Sequence, residues 1–162
     1  MKLIKWEGNW DRDTVSNSPD ALFIFTDNGD RTSGANVIPD DSEYSKRFNK
    51  KGLRYPKITT AVIRGLDNAY PITTQKKLYY GRTSFKGNWS DDDFEEFKKV
   101  IDDDFEHIKR ACAEKKIKVI YFPNRGVLNG PISKITLERT PLLYNYIIEK
   151  EKELKDYTYE NN

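Results

Sequence analysis

The chain has 162 residues, of which 36% are hydrophobic, 33% charged and 13% aromatic, and its formal net charge is +2. The near-zero charge gives no general argument for nucleic-acid binding. No apolar run approaches the ~18 residues of a membrane-spanning helix. With one cysteine and one histidine, the chain can form neither an internal disulfide nor a Cys/His zinc site. The length suits one domain, and we expect a single domain over residues 1–162 with a disordered tail over about 157–162. From the exclusions above we expect a cytoplasmic protein.

The first half of the sequence alternates short apolar runs with polar loops. Residues 3–6 and 21–25 predict strands, the second a continuous apolar run of the kind that is covered on both faces of a sheet. Surface loops are predicted over 9–20 and 26–34. Three more elements follow in this half: a short helix over 42–49 capped by Ser42, a strand over 59–63, and a short strand over 70–74 whose Pro71 fits only at a strand start or on a sheet edge.

The second half contains the clearest helix signal in the chain. Ser90 with Asp93 three residues later predicts an N-terminal cap. Apolar residues then recur at steps of three and four, which places one apolar stripe along a helix that we expect to end near Ala113. The stripe consists of Phe94, Phe97, Ile101, Phe105, Ile108 and Cys112.

A strand, a loop and a helix complete the chain. We predict the strand over 117–122, a turn-rich loop over 124–131 and a last helix from 141 to about 157. This alternation of strands, glycine-containing loops and helices is typical of an α/β domain. Its central sheet is expected to include Phe23, Val62 and Ile120.

Charged residues are segregated along the chain. Between Lys46 and Lys86 there are eleven basic residues and one acid, whereas residues 91–106 hold nine acids and two lysines. Each segment can be an ordinary solvated surface. The alternative is a basic face for an anionic ligand, held apart from an acidic helix.

Three loops follow predicted strands, over residues 26–34, 64–68 and 124–133. In an open α/β sheet, ligands bind beyond the carboxyl ends of the strands. Each loop combines glycine, which lets backbone amides approach a ligand closely, with side chains that can bond ribose or phosphate. The loops therefore indicate nucleotide recognition, although neither G-x-G-x-x-G nor G-x-x-x-x-G-K-[ST] occurs and ordinary turns have the same composition.

Two stretches of the sequence carry a resemblance to known proteins. They are Phe23-Ile24-Phe25-Thr26-Asp27-Asn28 with Arg31 and Gly34, and Ala61-Val62-Ile63-Arg64-Gly65-Leu66-Asp67-Asn68-Ala69 followed by Pro71-Ile72-Thr73-Thr74. From about Leu22 to Ile148 the chain resembles a family of small phage and bacterial proteins that are similar to the macro-domain and SLOG-type Rossmannoid folds. That resemblance implies a three-layer sandwich with a mostly parallel sheet, and an ADP-ribose-like ligand. The chain departs from the family at Ser33-Gly34, where a longer glycine-rich stretch is expected.

We predict that the ligand-binding residues come from these loops and strand ends and converge in space. They are Thr26, Asp27, Asn28, Arg31, Ser33, Gly34, Arg64, Gly65, Asp67, Asn68, Thr73, Asn124, Arg125, Gly126, Asn129 and Gly130. Arg64 is the strongest candidate for holding an anionic group, since a guanidinium can give phosphate two parallel hydrogen bonds. Asp27 and Asp67 are the candidate general bases. No residue pattern predicts a bound metal ion or a cofactor.

Three functions fit these residues. The first is binding, and sequestration, of an ADP-ribose-like compound or a cyclic nucleotide signal. The second is an enzyme that hydrolyses or transfers such a nucleotide, which requires Asp27 or Asp67 to face the ribose. The third is inhibition of a host protein by direct binding. The small size and the high Lys, Asn and Tyr usage resemble a phage accessory protein that counters host defence in the host cytoplasm; whether the chain forms a homo-oligomer stays open.

Overall fold

The computed structural model describes residues 1–79 and 85–161, and it confirms the predicted α/β class. The described residues form strands β1 (Lys2–Lys5), β2 (Ala21–Asn28), β3 (Asn36–Val37), β4 (Arg54–Tyr55), β5 (Ala69–Gln75) and β6 (Val119–Phe122), helices α1 (Arg12–Ser16), α2 (Glu43–Phe48), α3 (Phe94–Glu114) and α4 (Pro141–Glu160), and 3₁₀ helices over Thr60–Ile63 and Asp91–Asp93.

A four-stranded sheet in the order β1-β6-β2-β5 forms the middle layer, and every neighbouring pair in it is parallel. Helices α3 and α4 cover one face, where they pack on a large apolar cluster. A second cluster covers the other face and includes residues of α1, α2 and the first 3₁₀ helix. The strands β3 and β4 form a separate antiparallel pair. The result is the predicted Rossmannoid three-layer arrangement.

The apolar run of β2 is buried on both sides, as its sequence predicts. Leu22 and Ile24 belong to the cluster under α3 and α4, whereas Phe23 and Phe25 belong to the cluster on the opposite face. Successive side chains of a strand point to opposite faces, so a strand in the centre of a three-layer fold needs apolar residues at every position.

The long helix α3 also follows its prediction. The backbone N–H of Ser90 donates to Asp93 Oδ2 at 3.0 Å, and the two residues form the predicted capping box. The stripe from Phe97 to Cys112 is buried against the sheet, with Phe94 partly buried beside it. The helix extends one residue past the expected end.

The short elements at the β5 edge are confirmed as well. β5 pairs with β2 alone among the strands of the described part of the chain, so the absent N–H of Pro71 is tolerated on an edge. The helix α2 begins after Ser42, whose Oγ accepts from Ser45 N at 3.1 Å as the predicted cap.

Three sequence predictions are wrong. Residues 60–63 form a 3₁₀ helix, so Val62 lies outside the central sheet; the run is four residues long, and short apolar runs do not distinguish strand from buried helix. The loop predicted over 9–20 contains α1, which begins after Asp11 because its carboxylate accepts from Thr14 N at 2.7 Å. Helix α4 continues to Glu160, so the expected disordered tail is helical over 157–160, while residue 162 lies outside the described residues.

No helix in the described ranges combines the length and the apolar character that crossing a membrane requires.

Candidate functional site

The carboxyl ends of β2 and β5 border a cleft of about 270 Å³. Three cationic side chains line it, those of Arg31, Lys50 and Lys76, against one carboxylate, Glu96. Thr73 of β5 is also part of the lining. The cleft therefore lies where ligands bind in open parallel sheets, and its lining carries more positive than negative charge.

Arg31 is the most deeply placed of the three cations. The residue is only 5% exposed, and its guanidinium stacks over the Phe48 ring at 4.4 Å. Its two terminal nitrogens donate to Asn28 O at 3.3 Å and to Thr73 Oγ1 at 3.1 Å. Its Nε has no hydrogen-bond partner within the described residues. A buried N–H without a partner is costly, so an oxygen atom that accepts a hydrogen bond from this N–H would be stabilised.

The turn that carries Arg31 is held by Asn28. The Asn28 Oδ1 accepts from the backbone N–H groups of Asp30 at 3.0 Å and Arg31 at 2.9 Å. Arg31 has φ +56°, a left-handed conformation that Asn and Gly adopt more readily than Arg. The side-chain bonds of Asn28 thus stabilise an unfavourable backbone conformation that directs Arg31 into its buried position.

Asp27 and Arg64 form a buried ion pair behind the cleft. Both carboxylate oxygens of Asp27 accept from Arg64, with Nε to Oδ2 at 2.9 Å and the other bond from Nη2 to Oδ1. Arg64 Nη1 donates to the carbonyl oxygens of Ser33 and Arg54, and its Nη2 also donates to Ser33 Oγ. Neither side chain is exposed.

These hydrogen bonds give Arg64 a structural role. A guanidinium has five N–H groups, and Arg64 makes five hydrogen bonds with Asp27, Ser33 and Arg54. No donor is left for a ligand. The geometry therefore does not support the prediction that Arg64 holds the anion; it connects β2, β4 and the intervening loop instead.

Asp104 of α3 is the titratable group nearest to this network that the sequence prediction missed. Its Oδ2 accepts from Thr73 N at 2.7 Å, and its Oδ1 lies 3.7 Å from Arg31 Nη2. The residue is 4% exposed. Burial raises the pKa of Asp104 to about 6, and the attraction of Arg31 opposes that rise. A signal was present, because Asp104 lies three residues after Ile101 on the face that holds the apolar stripe.

The two lysines of the cleft are bound differently. Lys50 Nζ donates to Gly29 O at 2.6 Å, so its charge is not neutralised by a carboxylate in this contact. Lys76 Nζ lies 3.2 Å from Glu96 and 3.3 Å from Asp93, and hydrogen bonding to Glu96 raises the pKa of Lys76. Lys50 is therefore the more available of the two for an incoming anion.

Trp89 closes one side of the cleft by packing. It is 2% exposed, and its Nε1 donates to Thr73 O at 3.0 Å. The sequence does not mark Lys50, Lys76 or Glu96 as site residues, because they lie far apart in the chain and none belongs to a recognisable motif.

Two glycines near the cleft allow close backbone packing. A Cβ on Gly29 would lie 2.4 Å from Lys76 O, so a glycine is needed where the segments after β2 and β5 meet. Gly34 has φ +101°, and a Cβ there would lie 2.3 Å from Tyr55 O. Gly34 therefore serves packing in this structure rather than a phosphate grip.

The predicted convergence of the loops is wrong for the segment that follows Arg64. Phe23 N donates to Asn68 O at 2.8 Å, and Asn68 Nδ2 donates to Val15 O and Ser18 O, at the amino end of the sheet. Asn28 lies five residues further along β2, or roughly 16 Å at the usual rise of a strand. Asp67 is next to Asn68, so it also lies away from the cleft. The cause is that residues 60–63 do not form a strand, so no strand carries this loop to the carboxyl edge.

The remaining predicted residues are accounted for by local contacts. Thr26 Oγ1 hydrogen-bonds Thr60 Oγ1 at 3.1 Å, and a Cβ on Gly65 would lie 2.8 Å from an Ile38 side-chain carbon. The loop over 124–130 is held to the segment that follows it, because Asn129 N donates to Ile135 O and Lys134 N donates to Gly130 O. Its exposed residues are Asn124, Arg125 and Asn129, while Gly126 lines a second cleft beside β1 and α4. Of the predicted set, Arg31 and Thr73 line the first cleft. Asn28 holds Arg31 through hydrogen bonds, and Asp27 Oδ2 lies 3.5 Å from Arg31 Nη1.

Metal binding has no structural support in the ranges 1–79 and 85–161, where no three His, Cys, Asp or Glu side chains are grouped as metal ligands. Arg82 of the basic segment lies outside the described residues.

A family model, "Family of unknown function (DUF7831)", matches residues 5–150, which is most of the chain. This agrees with the expected membership of an uncharacterised family and carries no information on macro-domain likeness or phage origin. Comparison with curated proteins and with solved structures gave no match.

Proposed function

The chain belongs to the DUF7831 family, and we propose that it binds the anionic end of a nucleotide-derived ligand in the cleft between the ends of β2 and β5. The observation that carries this proposal is the unpartnered Nε of Arg31, a buried cation on the cleft wall. An anionic oxygen would satisfy that donor. The ligand class rests on the chemistry of phosphate, which guanidinium and ammonium groups recognise together.

The Arg31 charge is shared with Asp27 at 3.5 Å and Asp104 at 3.7 Å, so the attraction for an anion comes from the unpartnered Arg31 Nε together with Lys50. A hydrogen bond to a charged group contributes ~1.5–3 kcal/mol, and Coulomb interactions are stronger at a partly buried site than in bulk water. Arg31 is fixed by its bonds to Asn28 and Thr73 before any ligand arrives. The cost of ordering this side chain has therefore been met during folding.

The dimensions limit how much of the ligand is enclosed. Ligand pockets usually measure ~300–1,000 Å³, and the cleft measures about 270 Å³. It accommodates a phosphate and part of its ribose, with the rest of an ADP-ribose-like molecule or a cyclic nucleotide in contact with solvent. A ligand that contacts Lys76 has to break the ion pair between Lys76 and Glu96 or share Lys76 with it, and this lowers the affinity for the ligand.

Binding without turnover is the form of the proposal that the geometry supports best. Asp27, the first candidate base, has both oxygens bonded to Arg64 and no exposed side-chain surface. Asp67, the second, lies at the opposite end of the sheet. Sequestration of a host nucleotide signal by a phage accessory protein remains the biological setting that we propose, with turnover of the same ligand or direct inhibition of a host protein as the alternatives.

The test is calorimetry of the full chain with ADP-ribose, cyclic ADP-ribose and a cyclic dinucleotide, and with adenosine as the uncharged control. We expect at least one phosphate-bearing probe to bind and adenosine not to bind. Lys50→Ala should weaken binding about tenfold or more, as loss of ~1.5 kcal/mol implies. Lys51→Ala is the matched control, since it removes the same charge from the next residue, which is also exposed and does not line the cleft.

Three results separate the alternatives. Recovery of the bound nucleotide unchanged after heat denaturation supports sequestration. Steady multiple turnover by the parent protein replaces the binding proposal with the enzymatic one. Absence of binding by every charged probe, or equal loss in Lys50→Ala and Lys51→Ala, contradicts the assignment of the cleft.

A further inference from the structure

The strand β1 lies at an open edge of the sheet. Within the described residues it pairs with β6 alone. Lys2 N donates to Lys118 O at 3.0 Å and Trp6 N donates to Phe122 O at 2.9 Å, so these residues direct their backbone groups toward β6. Alternate residues of a strand direct them the other way. The N–H and C=O groups of Leu3 and Lys5 therefore point away from the sheet.

A groove accompanies this edge. The second cleft, of about 240 Å³, lies between β1 and α4, away from the cation-lined cleft. Its apolar side chains are those of Leu3 and Phe122, of which Phe122 belongs to the cluster under α3 and α4 and Leu3 packs against it, and the backbone of β1 at Ile4 borders it. Unpaired backbone groups beside an apolar groove and a helix are the arrangement in which an extended peptide adds to a sheet as a further strand.

The charged residues around the groove indicate the charge of the partner that would bind there. Lys5 and Lys155 line it together with Glu151. Burial raises the pKa of Glu151 and the attraction of Lys5 opposes that rise, so these two side chains act on each other. Lys155 has no ion pair within the described residues, and Lys2 adds an exposed positive charge at the start of the strand. The edge is therefore net positive.

We propose that the β1 edge and α4 form a docking groove for an extended acidic segment of a partner protein, which pairs with β1 as a fifth strand. The backbone groups of Leu3 and Lys5 supply the hydrogen bonds, an apolar side chain of the partner fills the groove, and an acidic side chain meets Lys155. A second copy of β1 is a poor occupant, because antiparallel pairing would bring Lys2 close to Lys5 of the other copy, and like charges across strands are unfavourable.

The experiment uses the ¹⁵N-labelled full chain and two blocked hexapeptides, Ac-Val-Glu-Val-Glu-Val-Glu-NH₂ and its counterpart with lysine in place of glutamate. We expect the glutamate peptide to shift the amide resonances of Leu3 and Lys5 in a saturable way, and the lysine peptide to leave them unchanged. Lys155→Ala should weaken binding of the glutamate peptide several-fold, whereas Lys116→Ala, an exposed lysine outside the groove, should not.

The backbone contribution is tested separately. Lys5→Pro removes the outward N–H without removing a bond to β6, and it should weaken binding by about tenfold or more, whereas Lys5→Ala, which keeps that N–H, should weaken it less. If Lys5→Pro fails to fold, the glutamate peptide N-methylated on alternate residues makes the same test on the parent protein. No shift at Leu3 and Lys5, equal shifts with the lysine peptide, or unchanged binding of the N-methylated peptide overturns the proposal. A concentration-dependent shift at β1 without peptide identifies a second copy as the occupant and also overturns it.

Discussion

Replacing Arg64 with leucine tests whether this residue holds the fold or holds a ligand. The side chain is fully buried and makes five hydrogen bonds, two of them to Asp27. Its removal leaves the Asp27 carboxylate buried without its main counter-charge, and breaking a buried ion pair in this way costs ~3–5 kcal/mol. For a domain of this size each kcal/mol corresponds to ~2–4 °C, so the Tm should fall by roughly 6–20 °C.

The assay is thermal and urea denaturation followed by circular dichroism, which give the Tm and the unfolding free energy, with Arg54→Leu as the matched control. Arg54 is an exposed arginine of the same basic segment, and the carbonyl oxygen that it offers to Arg64 is kept in the variant. Its replacement should change the unfolding free energy by less than ~0.5 kcal/mol. Equal stability of the two variants would refute the structural role of Arg64. The double variant Asp27→Leu/Arg64→Leu should be more stable than Arg64→Leu, because it removes the unpaired carboxylate while Arg31, which also lies near Asp27, keeps Asp104 as a counter-charge.

Three further predictions concern the core, the buried acid and a close backbone contact. Phe97→Ala and Phe105→Ala should each lower the unfolding free energy by ~3–5 kcal/mol in the same assay; parent-like melting would show that the α3 stripe is not core. The raised pKa of Asp104 means that the folded chain binds more protons than the unfolded chain between pH 3.8 and about 6. The stability contributed by Asp104 should therefore fall as the pH rises through that window; denaturation at stepped pH should show a flatter profile for Asp104→Asn, and identical profiles would contradict this. Gly34→Ala should destabilise the fold by more than Gly52→Ala, since both glycines have positive φ but a Cβ meets backbone atoms only at Gly34; equal melting temperatures would contradict the clash.

The parts of the fold that could be predicted from sequence are those with a long or unambiguous pattern. The apolar stripe of α3 repeats over five turns, which identifies a helix. The five consecutive apolar residues of β2 indicate a strand that is buried on both faces. The segment over 60–63 has only four residues, too few for a helical or strand period to repeat. Thr59, directly before this segment, adopts φ +78°, a conformation that β-branched residues rarely take and that local propensity therefore does not predict.

The candidate site was predicted less well for a related reason. Arg31 was selected from the loop after a strand and Thr73 from the stretch Pro71-Ile72-Thr73-Thr74 that carries the resemblance, and both residues line the cleft. Position after a strand failed at Arg64, because a basic residue near a strand end can bond a buried carboxylate as readily as a ligand, and Asp27 occupies it. Lys50 and Glu96 come from α2's following loop and from α3, so only the packing of these elements brings them to the cleft.

The most direct test of ligand binding in the cleft is a ¹⁵N NMR titration of the full chain with ADP-ribose, and with adenosine as the uncharged reference. Anion binding in the cleft predicts saturable shifts of the Gly29, Arg31 and Lys50 amides with ADP-ribose, no shifts with adenosine, and loss of the shifts in Lys50→Ala. Shifts confined to other parts of the chain, or the same response to adenosine, would contradict anion binding at the carboxyl ends of β2 and β5.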